Sequence, residues 1–407
     1  MIVANIETEK KMYMKSLKLL SVLSAVALSA AAFMASCDKE DAPKKISHIT
    51  DPEKLAMLNS MKDLDGTGRL YEIDYTVDYK LDEILKAGVT DVNDLFKYIA
   101  YLLYDNLDTK APKVTFGAGC SAFAVPEKDR INFLMGRNYD FRHSDDSGYK
   151  PTAAILVHTA PKDGKKSISM VDGMNLDFGQ GFYTDKNKDL SLLMGLPYAA
   201  LDGINEDGFA IGVLALKEKQ TSQHNGYPRI GTTVAIRMLL DRASTVKEAV
   251  EMLRHYDMDM QGNGRSNYHF FMADATGDYA IVEYTYDDDD NGDEEEKHPS
   301  KMEVFTANDT LRCVTNFYVA PSMVGTVDGW GSSHGKARYE TMRNTLLSKN
   351  YSLNADDAMS LLKAVSQPPT QELTSQTQWS ALYDLTERTL RLTILRDYAR
   401  EYKFKVE

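Results

Sequence analysis

Gly117-Ala118-Gly119-Cys120-Ser121-Ala122-Phe123-Ala124-Val125, then Pro126-Glu127-Lys128-Asp129, then residues 131–135 running into Gly136-Arg137-Asn138-Tyr139-Asp140-Phe141, sets the architecture of this chain. Two β-prone runs flank a four-residue turn, the pattern of a hairpin. The pattern recurs: residues 269–273 and 279–284 flank Ala275-Thr276-Gly277-Asp278, and residues 380–385 and 389–395 flank Thr386-Glu387-Arg388. Strands joined by such short turns pair antiparallel, because a parallel pair needs a crossover of a dozen residues or more. Helical patterns lie between these blocks at 232–243, at 245–255 behind a Thr245–Glu248 capping box, and at 355–365 behind Asn354. Such an order predicts antiparallel sheets covered by helical layers.

The first hairpin also carries candidate chemistry. Folded about Lys128, it sets Cys120 opposite Gly136 and puts Arg137 beside the sulfur. A guanidinium there stabilises a thiolate and lowers the thiol pKa. Arg137 and Asp140 differ by three positions, so a regular strand sends them to opposite faces, and a bend or bulge is needed for both to serve one site. A buried cysteine with a surface arginine fits the spacing equally well.

Upstream, residues 38–47 form a polar linker. Residues 68–79 read as strand and 91–104 as helix, with Leu95, Ile99, Leu102 and Leu103 at helical spacing and Thr90 as candidate cap. A segment of this size is marginal alone and is expected to pack on the chain from Cys120 onward. Lys15 and Lys18 precede the uncharged run 19–36, which ends Met34-Ala35-Ser36-Cys37 before Asp38-Lys39-Glu40-Asp41. That layout is an export signal rather than a membrane span, and the small residues before Cys37 resemble a bacterial lipobox. The reading is a signal over residues 1–37, cleaved so that Cys37 is lipidated, and an exported lipoprotein held to the membrane only by that anchor.

The 407 residues carry 47 Lys and Arg against 60 Asp and Glu, a net charge of −13, and losing the first 37 residues removes four Lys and two Glu to leave −15. No basic surface is available to neutralise phosphates, so nucleic acid is not an expected partner. Three cysteines, Cys37, Cys120 and Cys313, do not make a disulfide framework, and Cys313 in its apolar surroundings reads as a core thiol. In the acidic run 287–297, Asp287, Asp289, Asn291 and Gly292 fit the start of a calcium loop, but His298 stands where a bidentate Glu is required. The eight histidines show no zinc spacing, so no metal is expected. His143, His269 and His334 are each candidate general bases or ordinary structural histidines.

Read in order, Cys-Ser-Ala-Phe at 120–123, Gly-Arg-Asn-x-Asp at 136–140, Asp202-Gly203-Ile204-Asn205-Glu206-Asp207-Gly208-Phe209-Ala210, Ala273-Asp274-Ala275-Thr276-Gly277 ending at Glu283, Val314-Thr315-Asn316, Ser332-Ser333 with Arg338, and Thr377-Gln378-Trp379 are similar to the linear amide C–N hydrolases of the N-terminal nucleophile superfamily. Choloylglycine hydrolases, penicillin V acylases, and the acid ceramidase and N-acylethanolamine acid amidase group are the nearest in pattern. The resemblance implies an α/β four-layer αββα sandwich over residues 120–407, with residues 38–119 as propeptide or small subunit. It also implies a cysteine amidohydrolase of small N-acyl amides, with no cofactor.

By that resemblance Cys120 is nucleophile, and its own α-amine is the base once the Gly119–Cys120 bond is broken by the thiol itself. An α-amine titrates near 7.7–8.0, within reach of operating pH, and Gly119 leaves the carbonyl open to attack. Arg137 corresponds to the thiolate partner and Asp140 to the carboxylate holding the amine. Asn316 corresponds to an oxyanion donor aided by a backbone N–H near Ala215, where several relatives carry Asn. Arg338 corresponds to a second cation. Acyl transfer to an amine, and a lipid-anchored binding protein without turnover, remain alternatives. The sequence permits a homo-oligomer without calling for one.

Overall fold

The computed structural model describes residues 49–104, 119–128, 131–145, 148–217, 221–260, 266–286, 298–306, 311–323, 332–372 and 375–407. These residues all fall in one compact unit. The signal, Cys37, the linker 38–47 and the acidic run 287–297 lie outside the described residues.

In chain order the helices are α1 (Pro52–Leu58), α2 (Leu81–Ala87), α3 (Val92–Tyr104), α4 (Thr232–Arg242), α5 (Val246–Arg254), α6 (Ser332–Ser348) and α7 (Ala355–Val365). The strands of the two large sheets are β1 (Lys62–Asp63), β2 (Leu70–Tyr75), β3 (Gly119–Pro126), β4 (Phe133–Asp140), β5 (Ala154–Thr159), β6 (Ser167–Asp172), β7 (Ala200–Asn205), β8 (Ala210–Lys217), β9 (Ser266–Ala273), β10 (Tyr279–Thr285), β11 (Lys301–Thr306), β12 (Cys313–Val314), β13 (Thr377–Asp384), β14 (Thr389–Ile394) and β15 (Tyr402–Lys405). Among the described residues one sheet has the order β1-β2-β5-β6-β7-β8-β9-β10-β11 and the other β12-β3-β4-β13-β14-β15. Both are antiparallel except where β2 pairs parallel with β5.

The layers follow from what each face touches. Helix α4 packs on β7 and β8 of the larger sheet, α6 and α7 pack on β3, β4, β12 and β13 of the smaller, and β3 meets β8 between them. This is the four-layer αββα sandwich, and the sequence reading of fold class holds. The strands at the centre are buried along nearly their whole length, so both faces are covered by protein.

Helix boundaries fall within a residue or two of the sequence reading. Residues 355–365 match, and the Thr245 capping box forms as read. At the start of α3 the cap differs: Asp91 accepts from the N–H of Asp94 at 3.0 Å, while the Thr90 hydroxyl donates instead to Asp259 at 2.6 Å. The strand read over 68–79 is shorter, β2: before it Asp63 and Asp65 gather the backbone N–H groups of residues 65–69 into a turn, and past it the Asp78 carboxylate takes the N–H of Lys80 at 2.8 Å.

The segment before Cys120 does pack on the rest of the chain. Leu70, Tyr71, Ile73, Leu95, Phe96 and Ile99 are buried in the main core, and β2 pairs with β5 along six residues. Tyr79 donates to Asp241 of α4 at 2.7 Å, a carboxylate that also pairs with the fully buried Arg237 at 2.5 Å.

Candidate active site

The hairpin β3–β4 forms, but in another register. Cys120 faces Tyr139, Ala122 faces Arg137 and Gly119 faces Asp140, three positions from the expected pairing of Cys120 with Gly136. The pairing is centred one and a half residues further along the chain than Lys128. Paired residues share a face, and so do residues two apart, so the new register still puts Arg137 on the side of Cys120, one step along the diagonal.

Arg137 is wholly buried between the sheets. Its Nη2 lies 3.7 Å from Cys120 Sγ and donates to the Val213 carbonyl at 2.5 Å, while Nη1 pairs with Asp202. Asp202, at the heart of β7, also accepts from Trp379 Nε1 at 3.1 Å and from the Tyr383 hydroxyl. The guanidinium is thus fixed from both sheets. Gly212 makes room for it: a Cβ there would come within 2.7 Å of Arg137 Cδ. Asp202 opens a quoted motif, yet nothing in the sequence marks it as the arginine's partner, because the pairing crosses between sheets.

The cysteine backbone is held too. The Cys120 N–H donates to Asn316 Oδ1 at 2.6 Å, and its carbonyl accepts from Arg338 Nη1. Arg338 Nη2 donates to the same Asn316 Oδ1 at 2.9 Å, and Asn316 Nδ2 donates to the Ala215 carbonyl at 2.8 Å. Asn316 follows the short strand β12 and Arg338 lies on α6, so the site joins the edge of one sheet to a helix of the layer behind it. The expected oxyanion donor therefore already gives a hydrogen to Ala215. The N–H of Ala215 shares that edge of β8, since an antiparallel strand turns a residue's N–H and C=O to the same side.

Asp140 occupies the opposite face from Arg137, as alternation requires. It accepts from Thr377 Oγ1 at 2.5 Å and Gln367 Nε2 at 2.8 Å and lies 3.6 Å from Arg338 Nη1. The expected irregularity sits on the partner strand: the β4–β13 register shifts between Thr377 and Trp379, beside Asp140. Cys120 lies between the two faces, its sulfur toward Arg137 and its neighbour Gly119 opposite Asp140.

The electrostatics differ from the expectation drawn from Arg137 alone. Burial pushes the Cys120 thiol up, and Arg137, Arg338 and a backbone N–H of Asp140 only partly offset it. Burial likewise lowers Arg338 from its usual value, with Asp140 and Cys120 opposing. The sulfur is wholly enclosed, and its surroundings favour the thiol over the thiolate.

Of the three histidines, His143 bonds Asp172 at 2.7 Å and His269 bonds Glu283 and the Thr315 carbonyl, both at 2.9 Å. The side chain of His334 lies outside the described residues. Cys313 is a core thiol facing Phe123, pushed up to about 12 by burial. Among the described residues no group of three or more His, Cys, Asp and Glu could hold a metal.

The family model for acyl-coenzyme A:6-aminopenicillanic acid acyl-transferase matches residues 126–397. The chain belongs to this acyl-transferase family. The matched span includes Arg137, Asp140, Asn316 and Arg338, while Cys120 lies just ahead of it. Membership agrees with the resemblance read from the motifs. This acyl-transferase family member is also similar to two altered forms of conjugated bile acid hydrolase from Clostridium perfringens, one with alanine in place of a cysteine and one with leucine in place of an arginine. Each is 15% identical over 70% of this chain and 92% of that one, with TM-scores of 0.47 and 0.49 respectively. Penicillin V acylase from Agrobacterium tumefaciens is similar at 16% identity over 70% of this chain and 85% of that one, with a TM-score of 0.43. No curated protein matches the sequence.

Proposed function

We propose that this family member is a cysteine amidohydrolase that cleaves a linear N-acyl amide through a thioester on Cys120. Family membership and the four-layer fold support acyl-amide chemistry. The observation that carries the cysteine assignment is that one buried residue is held at three points: sulfur near Arg137, N–H on Asn316 and carbonyl on Arg338. A merely structural cysteine needs none of these.

Activation on this reading begins with the chain itself. The Cys120 sulfur attacks the Gly119 carbonyl, the C–N bond breaks with its proton going to the nitrogen, and water opens the resulting thioester to a Gly119 carboxylate and a free thiol. The new α-amine then takes the thiol proton as the sulfur attacks substrate, and it returns that proton to the leaving amine. Water, with the amine as base again, releases the acid. Arg137 steadies the thiolate and Asp140 the ammonium. Asn316, swinging Nδ2 from the Ala215 carbonyl, and the Ala215 N–H meet the oxyanion. The −15 charge of the chain beyond residue 37 offers no general attraction for anionic bile conjugates or N-acyl amino acids. An apolar acyl body is therefore the feature selected, whether steroid, fatty or phenoxyacyl.

Residues 49–104 supply strands β1 and β2 to the larger sheet and a share of its core. Each such buried side chain contributes about 1.5–3 kcal/mol, so the segment stays bound as a small subunit after cleavage. The family description itself favours one second reading, transfer of the acyl group to an amine rather than water. Intact mass and N-terminal sequencing, run beside a panel of bile conjugates, N-acyl glycines, ethanolamides and penicillin V, test the proposal. An uncleaved protein that releases nothing from the panel points to a binding protein. Product partitioning with added amine separates hydrolysis from transfer.

Export as a lipoprotein through Cys37 is part of the same proposal, supported by the signal-like run before it. Lipid labelling that persists in Cys37→Ala would refute it. Among the described residues no helix is long and apolar enough to cross a membrane.

A further inference from the structure

His269 and Glu283 are fully buried and take no part in the steps above. They are neighbours on β9 and β10, in line with the adjacent pair Phe270 and Val282, and both reach across the sandwich to the loop after β12. His269 Nε2 lies 2.9 Å from the Thr315 carbonyl and Nδ1 lies 2.9 Å from Glu283 Oε1. Glu283 also accepts the backbone N–H of Val319 at 2.9 Å and of Ala320 at 2.9 Å.

Hydrogen counting fixes how this works. A carbonyl only accepts, so Nε2 must carry a hydrogen. The other contact needs one proton between Nδ1 and Oε1, shared by ring and carboxyl. The two residues form a hydrogen-bonded clamp on both ends of the loop. Asn316 is the residue directly after the clamped carbonyl, and it holds the Cys120 nitrogen at 2.6 Å. Thr315 extends the clamp through its hydroxyl, which donates to the Gly335 carbonyl at 2.9 Å, about one turn before Arg338 on α6.

Resting on the cysteine-hydrolase reading, we propose that His269 and Glu283 are positioning residues that set Asn316, and through Gly335 Arg338, against Cys120. A loop secured only by packing would tolerate loss of the pair. A loop whose backbone is located by it would not, since a misplacement of about 1 Å in a catalytic donor costs about 10²-fold. Because the pair touches neither substrate nor sulfur, its loss should appear in kcat and in self-cleavage while KM stays near the wild-type value.

The test uses the full chain with His269→Leu, His269→Gln and Glu283→Gln, alongside Leu361→Ala, which opens a cavity in the separate core under α7. The measurements are kcat, KM, the half-time of cleavage at Gly119–Cys120, and the NMR signals of the Asn316 side-chain amide in protein labelled with 15N-asparagine. His269→Leu and Glu283→Gln are expected to lower kcat and slow cleavage by about 10²-fold, with KM close to wild type and the Asn316 signals shifted. His269→Gln, which can still donate to Thr315, should recover part of the loss. Leu361→Ala should destabilise the fold without touching either rate per folded molecule. If His269→Leu changes kcat no more than Leu361→Ala does, the pair is structural only and the proposal fails. If wild type neither cleaves itself nor hydrolyses any amide, the hydrolase reading fails first. The Asn316 signals then still decide the clamp, and unmoved signals in His269→Leu overturn it.

Discussion

Replacing Asp202 by asparagine separates the two roles of its partner arginine. Asp202 and Arg137 are both 0% exposed, so the substitution strands a guanidinium in the space between the sheets. Removing one partner of a buried ion pair costs about 3–5 kcal/mol, because the remaining charge keeps its desolvation penalty. Trp379 donates to Oδ2 and Tyr383 to Oδ1, so the new amide keeps its oxygen toward Trp379 while its NH2 donates to the Tyr383 hydroxyl, which has only to turn, and the loss comes mainly from Arg137. The double variant Arg137→Gln with Asp202→Asn leaves no charge, and its cost falls to that of imperfect neutral hydrogen bonds, about 1–3 kcal/mol. Activity should behave differently. The single variant loosens the group beside Cys120 Sγ and the double variant removes it, so both should be slow. Urea unfolding and amidase rate, measured on wild type and both variants, give the comparison. A double variant no more stable than Asp202→Asn would show that the stranded charge is not the cause, and a double variant of wild-type rate would refute Arg137 as thiolate partner.

Cys120→Ala is expected to yield one uncleaved, folded, inactive chain; fragments corresponding to residues 38–119 and 120–407 in that variant would exclude self-cleavage. Asn316→Ala should lower kcat by about 10²–10³, the usual cost of one oxyanion donor, and an unchanged rate would remove it from the site. Because burial raises the Cys120 thiol, the thiolate fraction of the uncleaved chain is small at neutral pH and grows as pH rises. Self-cleavage should therefore accelerate about tenfold per pH unit on the acid side of that ionisation, and a flat profile from about pH 6 to 9 would mean that thiolate formation does not limit it. After cleavage the two pieces should co-elute on a sizing column without denaturant, and separation there would contradict an integral role for β2 and α3.

The antiparallel hairpins, the helices and the order of motifs were legible in the sequence because they are local: turn residues, caps and apolar spacing act within a dozen positions or so. Features fixed from a distance were misplaced. The β3–β4 register is three residues off because neighbours on both sides of the hairpin decide it: β12 aligns Cys313 with Phe123, and β13 aligns Ala381 with Arg137. A turn read alone contains neither constraint. Arg137 was legible as a group near Cys120, but its partner Asp202, 65 positions away, lies in the facing sheet. Arg137 does lower the thiol as read, but the net upward direction was not legible, for the same reason. A cation on the neighbouring strand is visible in a motif, whereas complete burial belongs to the whole sandwich.

On the proposed mechanism, that burial also bears on why cleavage and activity would go together. In the intact chain the Cys120 nitrogen is a peptide N–H that donates to Asn316, so it has no lone pair with which to take the thiol proton. The thiol beside it is pushed up by its surroundings. On the proposed mechanism, nucleophile and base are therefore both disabled by the covalent bond that the nucleophile is to break. Breaking it would turn the nitrogen from donor to base without moving it, since Asn316 and Arg338 hold Cys120 through its backbone and through one another. On that mechanism the first cleavage would proceed with the small thiolate fraction that Arg137 permits, whereas later turnovers would have an amine at hand. A slow, single self-cleavage followed by much faster hydrolysis is therefore the expected kinetic order, and self-cleavage as fast as hydrolysis would refute it.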